Sequence, residues 1–322
     1  MRVGLDVSPL DQTRAGTARY LEHLERLADV DVVRLRRPGA GRLATAYRDT
    51  VWYPVALPQL VRRQRVDVLH CPTFRGPLRP PSCPLVVTVH DLAVLRRPET
   101  FNRWTRTVSS VCVQRVVRAA GRVIAVSEFT KHELMEVLSV PEERIAVVPN
   151  GVAEVFSTEG EAAEGSYVLA VGTLEPRKNL ARVAEAARLA GVELRVVGAR
   201  GWGDVTVQGW LGRVSDDELA RLYRGARCLV YASLYEGFGL PIAEAMACGT
   251  PVVTGAGGAT EETAGGAAVL VDALDAASIA DGIREAIRRR EELRALGLER
   301  ARAFSWEEAA RATVEVYREV GR

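Results

Sequence analysis

Short apolar, β-branched runs recur along this chain, each separated from the next by a stretch with helical spacing, and the whole alternation happens twice. In the first half the runs are residues 2–7, 31–35, 66–70, 85–90, 122–126 and 144–149; in the second they are 167–171, 193–197, 205–208, 228–231, 251–254 and 267–271. Helical patterns fill most gaps, notably 17–28, 101–120 and 129–138, and the tail from 275 to 322 reads as helix almost throughout. An apolar run bounded by turn residues has no polar face to offer water. It therefore predicts a strand covered on both sides, and the intervening helices supply the covers. The expectation is an α/β fold of two doubly wound, Rossmann-like domains with parallel sheets. Between the halves Asn150-Gly151-Val152 leads into residues 157–165, which are acidic and poor in apolar side chains and read as a linker, with 149–165 as the hinge. The predicted limits are 1–150, a linker at 151–165, a second domain at 166–304, and a final helix at 305–322 that crosses back to the first domain, capped by Ser305 with Glu308 at the capping-box position.

The length of 322 residues suits two domains, and 48% hydrophobic with 26% charged residues is ordinary for a globular chain with a sizeable core in each. Charge is uneven. Residues 1–150 hold 23 basic and 15 acidic side chains, a charge of +8, which leaves −6 for the rest. A basic half suits an anionic partner: a lipid headgroup surface, a nucleic acid or a phosphorylated substrate. An arginine-rich composition is the plain alternative, since Lys131 and Lys178 are the only lysines. Five cysteines without a CxxC pair suggest reduced thiols rather than disulfides or a zinc site. Met1 leads straight into a strand pattern, and no apolar run approaches the ~18 residues of a membrane span. The expected location is cytoplasmic, with any membrane contact peripheral, at the inner face.

Ligands of open parallel sheets bind outside the carboxyl ends of the strands. Polar and glycine-rich residues stand there in both halves, and two such rims facing each other would make an interdomain cleft. Glu236 lies on a glycine loop and Glu244 on the helix that follows, with seven residues between them. Helix-start N–H groups and two carboxylates would meet a polar, anionic ligand together; two exposed acids are the plain alternative. Arg177 and Lys178 stand side by side where the loop after residue 171 enters a helix, suited to a diphosphate. A solvated basic turn is the alternative, opposed by the position and by the rarity of lysine. His90 ends the run 85–89 with Asp91 next, and would either touch substrate or bond a backbone carbonyl. His70 is placed similarly. Ala15-Gly16-Thr17 opens the first helix, where Gly16 permits close approach of a ligand to the backbone.

Other candidates fall away. Asp29-Val30-Asp31 has a metal-binding look but falls on the amino side of its sheet. Gly198, Gly201 and Gly203 open no helix, so they do not make a dinucleotide-binding turn, and no GxxxxGK is present. The arginines of 284–294 are interleaved with glutamates, as on a solvated helix face, and no nucleic-acid partner is expected.

The landmarks, taken in order, resemble a known family. They are Gly16-Thr17-Ala18-Arg19-Tyr20, Val87-Thr88-Val89-His90-Asp91-Leu92, Ala125-Val126-Ser127-Glu128-Phe129-Thr130-Lys131, Val148-Pro149-Asn150-Gly151-Val152, Val171-Gly172-Thr173-Leu174-Glu175-Pro176-Arg177-Lys178-Asn179-Leu180, Leu211-Gly212-Arg213-Val214-Ser215 and the block from Glu236 to Glu244. The chain resembles the retaining nucleotide-sugar glycosyltransferases of family four (group 1), which have the GT-B fold of two Rossmann-like domains facing a cleft. The resemblance implies a sugar, with a lean to mannose from GDP-mannose, moved from a nucleoside diphosphate to an acceptor hydroxyl of a glycan, lipid-linked or small-molecule acceptor. The nucleotide sugar is a substrate, and neither cofactor nor metal is implied. It implies that Glu236 contacts sugar hydroxyls and that Gly237, Phe238, Gly239 and Leu240 bring the helix start to sugar and phosphate. Gly172, Arg177 and Lys178 would hold the diphosphate, Glu244 the ribose, and Gly212, Arg213 and Val214 the base. His90 would sit near the anomeric centre and Gly16 near the phosphates or acceptor. One departure is that Glu261-Glu262, on a glycine-rich stretch after Val253, stands where the family often has Pro-Glu. Two rival readings are a GT-B nucleotide-sugar 2-epimerase and a non-catalytic nucleotide-sugar-binding module.

Overall fold

The computed structural model describes residues 1–11, 16–25, 27, 29–101, 103–203 and 205–321. They form two compact units, Met1–Asn150 with Trp306–Arg322, and Gly151–Ser305. Each unit carries one six-stranded, wholly parallel sheet.

In the first unit the strands are β1 (Arg2–Asp6), β2 (Asp31–Leu35), β3 (Val68–Cys71), β4 (Leu85–Val89), β5 (Arg122–Ala125) and β6 (Ile145–Val147), in the order β2-β1-β3-β4-β5-β6. The side-chain period of two sends Val68, Val86 and Ile124 to one face and Leu69, Val87 and Val123 to the other, and both faces are buried. The first face is covered by the helix Gly16–Leu24, through Tyr20 and Leu21, and by the last helix Trp306–Val320, through Val314 and Tyr317. A buried polar chain fastens that last helix: His70 bonds Tyr317 OH through Nδ1 at 2.6 Å and Thr88 Oγ1 through Nε2 at 2.9 Å, and Tyr20 OH reaches Thr88 at 2.8 Å. His70, a ligand candidate by sequence, is thus a core histidine, and burial holds it neutral, with its pKa down at about 3.

The second unit holds β7 (Tyr167–Val171), β8 (Glu193–Val197), β9 (Trp210–Gly212), β10 (Leu229–Tyr231), β11 (Val252–Gly255) and β12 (Val269–Val271), in the order β12-β11-β10-β7-β8-β9. Here too Tyr167, Leu169 and Tyr231 enter one core layer while Val168, Ala170 and Val230 enter the other.

Two sequence expectations differ from the structure. Residues 205–208 are not a strand; the edge strand begins at Trp210, because the chain first meets β8 at Gly209, whose Cβ position lies 2.0 Å from the Leu194 carbonyl oxygen. Residues 151–165 are not a free linker. Phe156 is 3% exposed and packs edge-on against Tyr223 at 5.9 Å, and the Ala163 amide bonds the Arg221 carbonyl at 2.9 Å. Burying one such phenyl ring contributes about 2–3 kcal/mol, enough to anchor an otherwise polar stretch. Residues 41–63, for which no element was specified, are helical throughout: Gly41–Tyr47, a π-helical stretch Arg48–Ala56, and Leu57–Arg63.

Candidate active site

The second sheet reverses direction between β7 and β10. From β7 the chain builds outward to β8 and β9, and from β10 outward the other way to β11 and β12. The loops leaving two such strands diverge, and the crevice between them is where open α/β sheets take ligands. Gly172–Asn179 leaves β7 and Ser233–Gly239 leaves β10, joined by the Leu234 amide bonding the Arg177 carbonyl at 2.9 Å. Arg177 and Lys178 sit on one 3₁₀ turn, Pro176–Lys178, which ends at Asn179 in the left-handed region (φ 58°). The Asn179 side chain fixes that turn by donating to the carbonyls of Ala232 at 3.0 Å and Ala273 at 2.7 Å.

Both cations converge on one carboxylate. Arg177 Nη1 lies 2.9 Å from Glu236 Oε2 and Lys178 Nζ lies 2.5 Å from Oε1. Arg177 also pairs with Glu175 at 2.7 Å and donates to the Tyr235 carbonyl at 2.6 Å, while Lys178 donates to Tyr231 OH at 3.0 Å. The side chains of Arg177, Lys178 and Glu236 are only 10–13% exposed. Burial penalises the Glu236 charge, yet Arg177 and Lys178 outweigh it and hold the carboxyl at about 2. Burial likewise opposes the Lys178 charge, and Glu236 overcomes it, so the ammonium titrates above its ordinary value. Burial raises Glu175 above the usual carboxylate range, with Arg177 and Lys178 pulling the other way. Gly172 makes room for this: a Cβ there would stand 3.1 Å from Lys178 Cδ and 3.2 Å from Cγ.

The loop after β10 enters the helix Leu240–Ala247 through Gly239, whose φ of 103° suits glycine. Phe238 is buried edge-on against Phe304 at 5.3 Å, and Thr263 Oγ1 donates to the Phe238 carbonyl at 2.6 Å, so the turn beside Gly237 is fixed from both sides. Amides in a first turn have no partner within their own helix and are the natural donors to an anion. Glu244 is 2% exposed and accepts from Tyr223 OH at 3.1 Å, rather than standing in the open. Gly212 ends the edge strand β9, two strands from β7, and Arg213 and Val214 follow it; Val214 packs on the core and Arg213 is exposed.

In the first unit, His90 follows β4 and is half-buried. Its Nε2–H donates to the Pro72 carbonyl at 3.0 Å, which leaves Nδ1 as the basic nitrogen, and Tyr20 stands edge-on to the ring at 5.1 Å. Burial lowers its pKa, with the Pro72 carbonyl and Asp91 opposing. Gly16 is exposed at the first residue of its helix; Ala15 and residues 12–14 lie outside the described residues.

Two family signatures cover nearly the entire chain: Glycosyltransferase Family 4 matches residues 6–154 and Glycosyl transferases group 1 matches residues 153–303. The O-antigen chain mannosyltransferase B of Escherichia coli is 32% identical over 308 residues, which span 86% of this chain and 80% of that relative. The chain belongs to the group 1, family 4 glycosyltransferases. A D-inositol 3-phosphate glycosyltransferase of Nocardioides sp. is 38% identical over 182 residues, spanning 53% of this chain and only 38% of that relative. A solved sucrose-phosphate synthase from Thermosynechococcus elongatus shares the fold, with a TM-score of 0.78 at 20% identity over 99% of this chain and 98% of that one. In this glycosyltransferase, sequence reasoning assigned no part to Glu175, Tyr231 and Tyr223, which complete the polar contacts of Arg177, Lys178 and Glu244. The last residue of a strand at the reversal point was the available signal for Tyr231; nothing local marks Tyr223.

Proposed function

We propose that this glycosyltransferase moves mannose from GDP-mannose to an acceptor hydroxyl in glycan or polysaccharide assembly, on the cytoplasmic side, with retention and without a metal ion. The observation that carries the reading is the Arg177–Glu236–Lys178 cluster at the reversal point of the second sheet. Donor cleavage gathers negative charge on the departing diphosphate and positive charge on the sugar, and preplaced charges lower that barrier most. Arg177 and Lys178 are fixed cations that take the part of a metal ion toward the diphosphate. Glu236 exchanges part of its ion pairing for sugar hydroxyls as the diphosphate arrives, which frees Arg177 and Lys178 to meet the diphosphate. Gly172 keeps Lys178 in place, and Gly237, Phe238, Gly239 and Leu240 present the helix start. Glu244 takes the ribose, Gly212, Arg213 and Val214 the base, His90 the reacting centre and Gly16 the phosphates or acceptor, as in the family this chain resembles. A same-face displacement requires no enzymic nucleophile.

Mannose is supported by the name of the Escherichia coli relative. The acceptor class is a glycan, a lipid-linked glycan or a small molecule, and the same reading includes contact of the basic first half with an anionic membrane. The test is incubation with GDP-mannose and with UDP-sugars in EDTA, with and without lysate glycans and lipids, following free nucleoside diphosphate and product configuration. Acceptor-stimulated GDP release in EDTA, with an α-linked product, is the expected result. Release from UDP-sugars alone overturns the donor, a strict metal requirement overturns the clamp, and an isomerised sugar still on its nucleotide favours the 2-epimerase. Tight nucleotide binding without turnover favours the non-catalytic module.

A further inference from the structure

The helical segment 41–63 of the first unit has two unlike sides. Arg48, Trp52, Tyr53, Leu57 and Val61 are buried in the unit. Leu43, Tyr47, Val51 and Val55 are exposed, by 89%, 40%, 37% and 49%, and stand four residues apart. An α-helix would turn such a series slowly around its axis. At four-residue spacing each of them is displaced from the last by only a fraction of a turn, in the α-helical Gly41–Tyr47 and in the i→i+5 winding of Arg48–Ala56 alike. The result is an exposed apolar ridge on a helix that is otherwise well seated.

Unpaired cations lie beside it. A groove of about 820 Å³ runs from Pro54 and Pro58 of this segment to Arg79, Arg115 and Arg118. Arg62 and Arg63 close the segment's last turn. All five arginines are exposed, and among the described residues none makes a side-chain hydrogen bond or ion pair. Several helical arginines of the second unit, by contrast, are paired with acids: Arg284 with Asp281, Arg288 with Glu285 and Arg289 with Glu292. Val111, 46% exposed, shares a helix face with Arg115 and Arg118. Isolated exposed apolar side chains are common, but four on a segment whose Pro54 and Pro58 also wall a groove lined by free arginines are the pattern of a surface that lies in a lipid interface. Among the described residues no helix is long and apolar enough to cross a membrane, so such contact is made from one side.

We infer that the ridge Leu43–Tyr47–Val51–Val55, with Arg79, Arg115 and Arg118, is the surface by which this protein docks on an anionic bilayer. The inference rests on the membrane contact included in the proposed function and names where that contact is made. The ridge sinks into the headgroup layer, and the arginines meet lipid phosphates.

The test is flotation of the full-length protein with vesicles of phosphatidylcholine alone and of phosphatidylcholine with 30% phosphatidylglycerol. Wild type should float with the anionic vesicles only, less so in high salt. Leu43→Asp with Val55→Asp should cut partitioning at least on the order of 10-fold, and Arg79→Gln, Arg115→Gln and Arg118→Gln together on the order of 100-fold. Far-UV circular dichroism and GDP release from GDP-mannose, both unchanged, show that the variants are folded. Wild type that floats while both variants float equally well overturns the ridge and leaves membrane contact standing. Wild type that never floats overturns both.

Discussion

Lys178→Ala tests whether the cluster at the reversal point is catalytic or only structural. Lys178 Nζ lies 2.5 Å from Glu236 Oε1, and at an effective dielectric near 20 that contact is worth about 7 kcal/mol before desolvation is charged against it. Most of this is offset by the burial of both groups. What the variant exposes is the cost of leaving Glu236 with one partner fewer, typically about 3–5 kcal/mol for a buried pair. Because these side chains keep 10–13% exposure and Arg177 still holds Glu236, about 3 kcal/mol or less is expected, read as a lower midpoint in urea. Turnover should fall on the order of 100-fold, as for loss of one fixed donor at a developing anion. A second variant, Lys178→Met with Glu236→Gln, removes both charges and leaves Arg177 paired with Glu175. It should recover most of the stability and none of the turnover, measured as GDP release. Wild-type turnover in Lys178→Ala, or turnover that returns with stability in the double variant, would refute the clamp.

Three further outcomes follow from the same geometry. Gly172→Ala puts a methyl group 3.1 Å from the Lys178 stem, and should lower turnover on the order of 10-fold with a melting temperature changed by only a few degrees. Tyr223→Phe removes the hydrogen bond that aims Glu244 and should raise KM for the donor about 5- to 10-fold while leaving kcat nearly unchanged. Stability should fall as pH falls below the ordinary histidine value of about 6.5. His70 and His90 are held neutral by burial, so the unfolded chain binds protons that the folded chain refuses. For His70 the loss continues down toward pH 3 at about 1.4 kcal/mol per unit, with Glu236 adding in the same direction between its ordinary value and about 2. A urea midpoint independent of pH between 7.5 and 5 would contradict the buried, neutral assignment.

The strand-like runs were legible because a strand covered on both faces must be apolar along its length. Leu85–Val89 is buried at every position, and no other element accommodates five such residues so briefly. The edge was less legible. Trp210–Gly212 is largely exposed, so its pairing depends on where Gly209 allows the backbones to meet rather than on its own pattern. The segment 41–63 went unassigned because its two prolines and its apolar residues on two sides obscure a helical period. The stretch 151–165 reads as a linker because only two of its side chains, Phe156 and Ala163, are buried.

Residue type and order alone determined the two parallel α/β units and the family, and they placed Arg177, Lys178, Glu236 and Glu244 at loop-to-helix transitions. Side-chain pattern decides which runs are buried, and position along the chain decides which loops follow a strand. Tertiary structure alone decided which charges meet. Arg177 and Lys178 are separated from Glu236 by about 60 positions and converge because β7 and β10 are neighbours whose loops part at the reversal of strand order. The same held for the two histidines: His70 and His90 both end apolar runs in the sequence, and only the packing of Tyr317 and Thr88 against one and the Pro72 carbonyl against the other distinguished them. Such pairings are set by the close packing of distant segments, where hydrogen-bond reach is a few ångströms and sequence distance carries no weight.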